Sequence, residues 1–323
     1  MRRRVFIAGL GATAAWPLAA RAQQSPRLVG FLSSFSRDQN SDLATAFRAG
    51  LKQQGYSEGE NLSVEYRWAE GDVDRLPGLA AELVRRQVAV IVASGGLPPV
   101  RAAQAATSTI PIIFTGVSDP LKSHLVASLS RPEGNVTGFS QLNAELDTKR
   151  LELLHELVPA ATSVGVLLNP AIPQTGKREF DAAARALGLR VDFVEAMGEG
   201  DIGAVFAKLA ELRSDALLVP ADPVFRNMRA DIVARTIRAR LPAMFSLRDY
   251  AAIGGLMSDG ADLADGYRRA GIYAGRILAG AKVADLPVEQ SEKFALVINM
   301  KTAKAIGIAV PPQLLARADE VIE

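Results

Sequence analysis

The sequence predicts an α/β protein of two doubly wound lobes, and three observations carry that prediction. From Arg27 onward short apolar runs alternate with amphipathic helical stretches, several of the runs are apolar throughout, and the second half of the chain echoes the first. Alternation of this kind builds a parallel sheet. Runs with no polar face fit strands covered on both sides.

Arg27 to Leu32 reads as the first strand, followed by the polar loop Ser33–Asn40. Leu43, Phe47 and Leu51 then recur at helical spacing, and Gly55 follows as a stop signal. Leu62, Val64 and Tyr66 alternate as a strand, Leu76–Arg86 reads as a helix, and Val88–Ala93, Ile110–Thr115 and Val136–Phe139 read as buried strands. A second cycle opens with Leu151, Leu154 and Leu157 on a helix ended by Pro159. Ser163–Leu168, Arg190–Glu195, Ala216–Val219 and Ala243–Ser246 read as its strands, with helices near 179–187, 202–212 and 228–240 between them. Ile110-Pro111-Ile112-Ile113-Phe114-Thr115 parallels Leu241-Pro242-Ala243-Met244-Phe245-Ser246, and Val88–Val92 parallels Asp215–Val219. Each pair sits one helix apart, as two copies of one βαβ unit would. A helix near 263–278, extended segments at Pro287–Glu289 and Phe294–Ile298 and a helix at Thr302–Ile306 close the chain. No Pro/Gly/Ser-rich spacer separates the halves, so short crossing segments at a hinge are expected. The resulting division is a leader at 1–22, an N-terminal lobe at 23–140 with a returning segment about 256–285, and a C-terminal lobe at 141–255 with a returning segment about 286–323.

The N-terminus reads as a secretory leader. Arg2-Arg3-Arg4 precede an apolar run from Val5 to Ala20, and Ala20-Arg21-Ala22 supplies the small residues of a cleavage site. The run is shorter than the ~20 residues of a bilayer span. Arg3-Arg4-Val5-Phe6-Ile7 also fits a twin-arginine export signal. The leader holds four arginines and no acid, so its removal leaves 33 basic side chains against 35 acidic ones and turns the formal charge of +2 into −2. No electrostatic footprint for nucleic acid remains. The chain has no cysteine, which excludes disulfides, thiolate metal sites, a cysteine nucleophile and a lipidated cysteine.

In open parallel sheets ligands bind beyond the carboxyl ends of the strands. Those ends carry Ser33-Ser34, Ser94-Gly95-Gly96 and Thr115-Gly116 in the first half, and Asn169-Pro170, Ala221-Asp222 and Ser246 in the second. Small hydroxyl, amide and acidic residues there can offer oxygens and backbone N–H groups to a polar ligand. The same residue types are the favoured helix N-caps, and Asp222 before Pro223 also suits an Asx turn. Catalytic patterns are missing. His124 and His155 stand apart, without metal-ligand spacing, and no G-x-S-x-G elbow, Walker A loop or strand-linked G-x-G-x-x-G occurs in the mature chain. The sequence therefore reads as a binder with no enzymatic activity and no cofactor.

Two motif blocks carry a family resemblance. One runs through Ile110-Pro111-Ile112-Ile113-Phe114, Ser118-Asp119-Pro120, Leu125-Val126 and Arg131-Pro132-Glu133-Gly134-Asn135-Val136-Thr137-Gly138. The other holds Asp285–Gln290, Lys293-Phe294, Leu296–Asn299 and Lys301–Gly307. Together they resemble the ABC-transporter substrate-binding family that includes tryptophan- and tyrosine-binding lipoproteins. The resemblance implies a type I periplasmic-binding fold, with two Rossmann-like lobes, three crossovers and a ligand cleft at the hinge. It implies a small polar or aromatic ligand, an amino acid among the candidates, with Ser94 and Thr115 on its carboxylate and Asp222 on its ammonium. Ala221-Asp222-Pro223-Val224 lacks the Asp-Asn pair of the amino-acid binders, and Met257-Ser258-Asp259-Gly260 carries Asp259 where a stacking aromatic residue is expected. The expected site is thus Ser33, Ser34, Ser94, Gly95, Thr115, Gly116, Asn169, Asp222, Ser246 and Asp259. The expected setting is a monomer in the periplasm, not inserted in the membrane, delivering ligand to an ABC permease and its ATPase. A secreted sensor feeding a signalling receptor is the alternative. A sugar-repressor-like regulator would need a DNA-binding helix-turn-helix where this chain carries its leader.

Overall fold

The computed structural model describes residues 26–38, 40–140, 143–170, 177–290 and 294–323, so the leader expected at 1–22 lies outside the described residues. In chain order the strands are β1 (Arg27–Ser33), β2 (Leu62–Trp68), β3 (Val90–Ser94), β4 (Ile112–Val117), β5 (Val136–Ser140), β6 (Ser163–Leu168) and β7 (Arg190–Glu195). They continue as β8 (Ala216–Val219), β9 (Ala243–Phe245), β10 (Met257–Ala261), β11 (Glu289–Gln290), β12 (Phe294–Asn299) and β13 (Glu320–Ile322). The first sheet has the order β11-β5-β4-β3-β1-β2 and the second β13-β12-β10-β9-β8-β6-β7. Up to the fifth strand of each, the two orders are the same doubly wound pattern. The sequence echoes fall on β3 and β8 and on β4 and β9, which hold equivalent places in it.

Every pairing in the first sheet is parallel. The second sheet departs from the all-parallel expectation at one pair, since β10 and β12 run antiparallel. The cause is the chain path. β10 runs toward the gap between the lobes, whereas β12 enters from the other lobe and must start at that gap. The chain passes between lobes after Ser140, between Ala261 and Leu263, and after Gln290.

Those crossings revise the lobe boundaries. Met257–Ala261 is a strand of the second sheet, and the segment that returns to the first lobe spans the helix Leu263–Leu278 through β11, rather than about 256–285. Met257-Ser258-Asp259-Gly260-Ala261 carries too much polarity to read as a core strand, yet all five residues are buried. The buried Arg150, on the helix Asn143–Leu157, resolves the discrepancy. Its Nε donates to the Asp259 carbonyl at 2.6 Å, one terminal nitrogen to Asp147 Oδ1 at 2.6 Å and the other to the Ser246 carbonyl at 3.3 Å. Further elements have no counterpart in the sequence reading: a helix at Leu97–Ala106, short ones at Pro223–Asn227, Arg248–Ala252 and Pro312–Ala316, and β13.

The first lobe packs helix Ser41–Gln53 against Leu263–Leu278 with almost no side chain between them. A Cβ on Gly50 would lie 1.8 Å from the Arg268 carbonyl oxygen, and one on Gly271 2.1 Å from that of Phe47. Phe31, Phe47 and Tyr267 gather beside this crossing. Among the described residues no helix is long and apolar enough to cross a membrane.

Gly271→Ala is expected to lower folding stability by about 2 kcal/mol or more, because the added methyl must push two backbones apart. Gly266, on the same helix with nothing within 4 Å of its would-be Cβ, is the control. Gly266→Ala should be neutral or stabilising by up to about 1 kcal/mol, and urea unfolding of both variants separates crowding from helix propensity. Arg150→Met should cost about 3–5 kcal/mol, since it strands the Asp147 carboxylate and two buried carbonyls. Burial pushes the Asp147 carboxyl up and the Arg150 guanidinium opposes that shift. An unchanged urea midpoint in Arg150→Met would show that the network adds nothing.

Candidate ligand-binding site

On the first lobe β1, β3 and β4 end side by side at the gap. The Ser33 hydroxyl accepts from the Phe35 amide at 3.2 Å and from the Ser94 hydroxyl at 2.9 Å. Ser33 and Ser94 are fully buried, so this pair ties two strand ends together beneath the surface of the site. Ser34, also buried, has a hydroxyl with no hydrogen-bond partner. Tyr267 enters from the returning helix and faces Ser94 and Thr115. Burial pushes its phenol up and those two hydroxyls oppose the shift. Gly96, at φ +97°, lets the chain turn into helix Leu97–Ala106 where a Cβ would come within 3.9 Å of Pro223 Cγ on the opposite lobe.

On the second lobe Asp222 N-caps the short helix Pro223–Asn227. Its Oδ1 accepts from the amides of Val224 at 2.7 Å and Phe225 at 3.3 Å, and its Oδ2 from Asn169 Nδ2 at 3.0 Å. The capping role weighed for Asp222 is therefore observed, and the residue faces the gap as well. Burial pushes its carboxyl up, and the Asn169 and amide bonds pull the other way. One helical turn further on, Arg226 is 2% exposed. Its Nε lies 2.9 Å from Asp249 on its own lobe and a terminal nitrogen 3.3 Å from Asp42 on the other. Its guanidinium sits 5.3 Å from the centre of the Phe35 ring. The remaining terminal nitrogen has no hydrogen-bond partner. Beside it, Asn227 Oδ1 accepts from Ser36 N at 3.2 Å and Asn40 Nδ2 at 3.1 Å. The lobes are thus joined by polar contacts across the gap.

A cavity of about 50 Å³ lies between them, walled by Gly95 and Gly116 from the first lobe, Asp222 and Arg226 from the second, and the rings of Phe35 and Tyr267. A larger one of about 470 Å³ adjoins it, sharing Pro223 and lined in part by Ser34 and Asn169. Thr115 borders a small recess beside Tyr267. The structure therefore gathers Ser34, Gly95, Gly116, Asn169 and Asp222 around the two inter-lobe cavities, with Ser33 and Ser94 as the layer beneath and Thr115 on the recess beside Tyr267. Ser246 and Asp259 line neither inter-lobe cavity. The Asp259 carboxylate meets Lys149 Nζ at 3.0–3.1 Å and its carbonyl meets Arg150, because helix Asn143–Leu157 covers the ends of β9 and β10. Arg226, Phe35 and Tyr267 were not among the expected residues. Arg226 had a signal, its i+4 spacing from the Asp222-Pro223 cap, whereas Tyr267 joins the site only through the chain's return.

Comparison with known proteins agrees with this architecture. Residues 29–322 match the family described as ABC transporter substrate binding protein. A tyrosine-binding protein of Clostridioides difficile (strain R20291) is 29% identical over 265 residues, covering 81% of this chain and 75% of that one. The solved structure of an ABC domain in complex with L-Trp from Streptococcus pneumoniae is 27% identical, covers 91% of this chain and 100% of that one, and superposes with a TM-score of 0.81. A conserved domain protein from Vibrio cholerae, 28% identical with 92% and 100% covered, gives 0.82. A ligand-free, open substrate-binding protein with adhesive properties from Clostridium difficile, 25% identical with 92% and 99% covered, gives only 0.63. The chain belongs to the ABC transporter substrate-binding protein family.

Proposed function

We propose that this protein is the periplasmic solute-binding component of an ABC importer, and that its ligand is a zwitterion of the α-amino-acid kind. The observation that carries the reading is the pairing of Asp222 and Arg226 on one helical turn at the inner cavity. A carboxylate keeps acceptor capacity there beyond its three bonds, and a guanidinium keeps a terminal nitrogen without a partner. A ligand ammonium suits the first and a ligand carboxylate the second. The rings of Phe35 and Tyr267 offer apolar faces between them. The names of the tyrosine-binding relative and the L-Trp complex support an amino acid over a sugar.

The mechanism that suits three chain crossings is hinge closure. A ligand held by residues of both lobes makes its full set of contacts only when the lobes are together, so it stabilises the closed form by its differential affinity. In this reading a permease docks on the closed form, and the mature chain acts as a monomer that binds without catalysis, its leader removed on export.

Residues 23–323 should show a rise in thermal midpoint that grows with the concentration of an α-amino acid, worth about 2.7 kcal/mol at a hundredfold excess over the dissociation constant. Silence across the amino acids, with a sugar or nucleoside active instead, would overturn the ligand class. The reading also sets a pH dependence. An ammonium needs Asp222 ionised, and burial raises the carboxyl's pKa in the free protein. Affinity should therefore fall as pH drops through that raised value, with a proton released on binding at and below it, where the free carboxyl is protonated and the bound one is not. Asp222→Asn keeps the cap, since Asn accepts from the same amides and Asn169 can turn its amide oxygen inward. It should bind about 10-fold or more weakly and lose the pH dependence, both read by calorimetry.

A further inference from the structure

The inner cavity is too small to hold a whole amino acid of any length. At about 10–15 Å³ for each water-sized group, its 50 Å³ accommodates about three to five such groups, at most the five heavy atoms of an ammonium, a Cα and a carboxylate. The side chain must go elsewhere, and the adjoining 470 Å³ cavity is beside it. The partition is the hydrogen bond from Asn169, which lines the outer cavity, to Asp222, which lines the inner one.

The chemistry of the outer cavity is one-sided. Among the described residues, the charged side chains that line it are Glu70, Asp72 and Glu199, from both lobes, with no base among them. The wall formed by Val224 and Met228 is apolar. The Ser34 hydroxyl, on a residue 2% exposed, also lines it and has no partner within the protein. Two of the acids accept from neutral amides: Glu70 from Arg37 N at 3.4 Å and Asp72 from Asp74 N at 3.0 Å. An aliphatic stem followed by a cation matches this sequence of surfaces.

We propose that the ligand is a basic α-amino acid, its head group between Asp222 and Arg226 and its side chain in the outer cavity. The methylenes lie along Val224 and Met228, and a terminal guanidinium or ammonium reaches Glu70, Asp72 and Glu199. The proposal rests on the zwitterion reading above and differs from it in specificity, because an aromatic side chain gains nothing from three carboxylates.

Titration calorimetry of residues 23–323 with L-arginine, L-lysine, L-citrulline, L-tryptophan and L-tyrosine tests it. L-citrulline copies the length of L-arginine without its charge. L-arginine or L-lysine should bind at least 10-fold more tightly than the three neutral amino acids, with the advantage shrinking as salt rises. The variant E70Q/D72N/E199Q should lose that advantage, each single change costing about two- to fivefold as an exposed ion pair does. Equal or tighter binding of L-tryptophan, L-tyrosine or L-citrulline would overturn the proposal and leave the zwitterion reading intact. So would a basic preference that survives in the triple variant, since the outer cavity would then not be its source. No binding of any of the five would overturn the basic preference, while the zwitterion reading falls only if the thermal screen across all the amino acids is silent as well.

Discussion

The backbone-to-backbone crossing of helix Ser41–Gln53 and helix Leu263–Leu278 is the constraint on which the rest of the molecule leans. Gly50 and Gly271 leave each helix no side chain where the other's carbonyls lie, so the returning helix can dock at one depth and one register. That docking brings Tyr267 over Ser94 and Thr115 and sets Leu263 at the inner cavity. It also decides where the second chain crossing begins, and hence where the hinge can act. A close-packed crossing tolerates little adjustment, which suits an element that must hold still while the opposite lobe moves.

The second lobe solves a different problem, the burial of charge. Arg150 and Arg226 are both almost wholly shielded from solvent, and their surroundings differ. Arg150 is surrounded on its own lobe by two carbonyls and the Asp147 carboxylate, and its role there is to let the polar strand β10 lie in a core. Arg226 divides its contacts between Asp249 on its own lobe and Asp42 and Phe35 on the other, and keeps one nitrogen unpartnered. A buried cation that is fully satisfied holds structure together, whereas one left short of a partner keeps hydrogen-bonding capacity unused. Asp222 follows the second pattern, its carboxyl pushed up by burial despite three hydrogen bonds.

The contacts of Arg226 with Asp42 and of Asn227 with Ser36 and Asn40 exist only while the lobes are together. In the hinge closure we propose, they would favour the closed form before any ligand is counted, and a ligand would then select an existing state rather than make a new one. Both cavities share Pro223 and the short helix that follows it, so the element that joins the lobes is also one that lines both cavities.

The amino-acid order by itself determined the two-lobed α/β class, most strand positions and the side of each sheet on which a site must lie. Those features depend on local apolar periodicity and on chain direction, which a linear pattern records. It also marked Ser34, Gly95, Thr115, Gly116, Asn169 and Asp222, because small polar residues beyond strand ends gather wherever parallel sheets open. Tertiary structure alone decided that Met257–Ala261 is a strand, since the buried Asp259 in it is met by Lys149 and Arg150 from a distant helix. It alone removed Ser246 and Asp259 from the cavities, by laying helix Asn143–Leu157 over their strand ends. It alone supplied Tyr267, which reaches the gap after the chain has crossed between lobes twice. Long-range returns of this kind leave no periodic trace, because the residues that meet are set by the path of the whole chain and not by their neighbours.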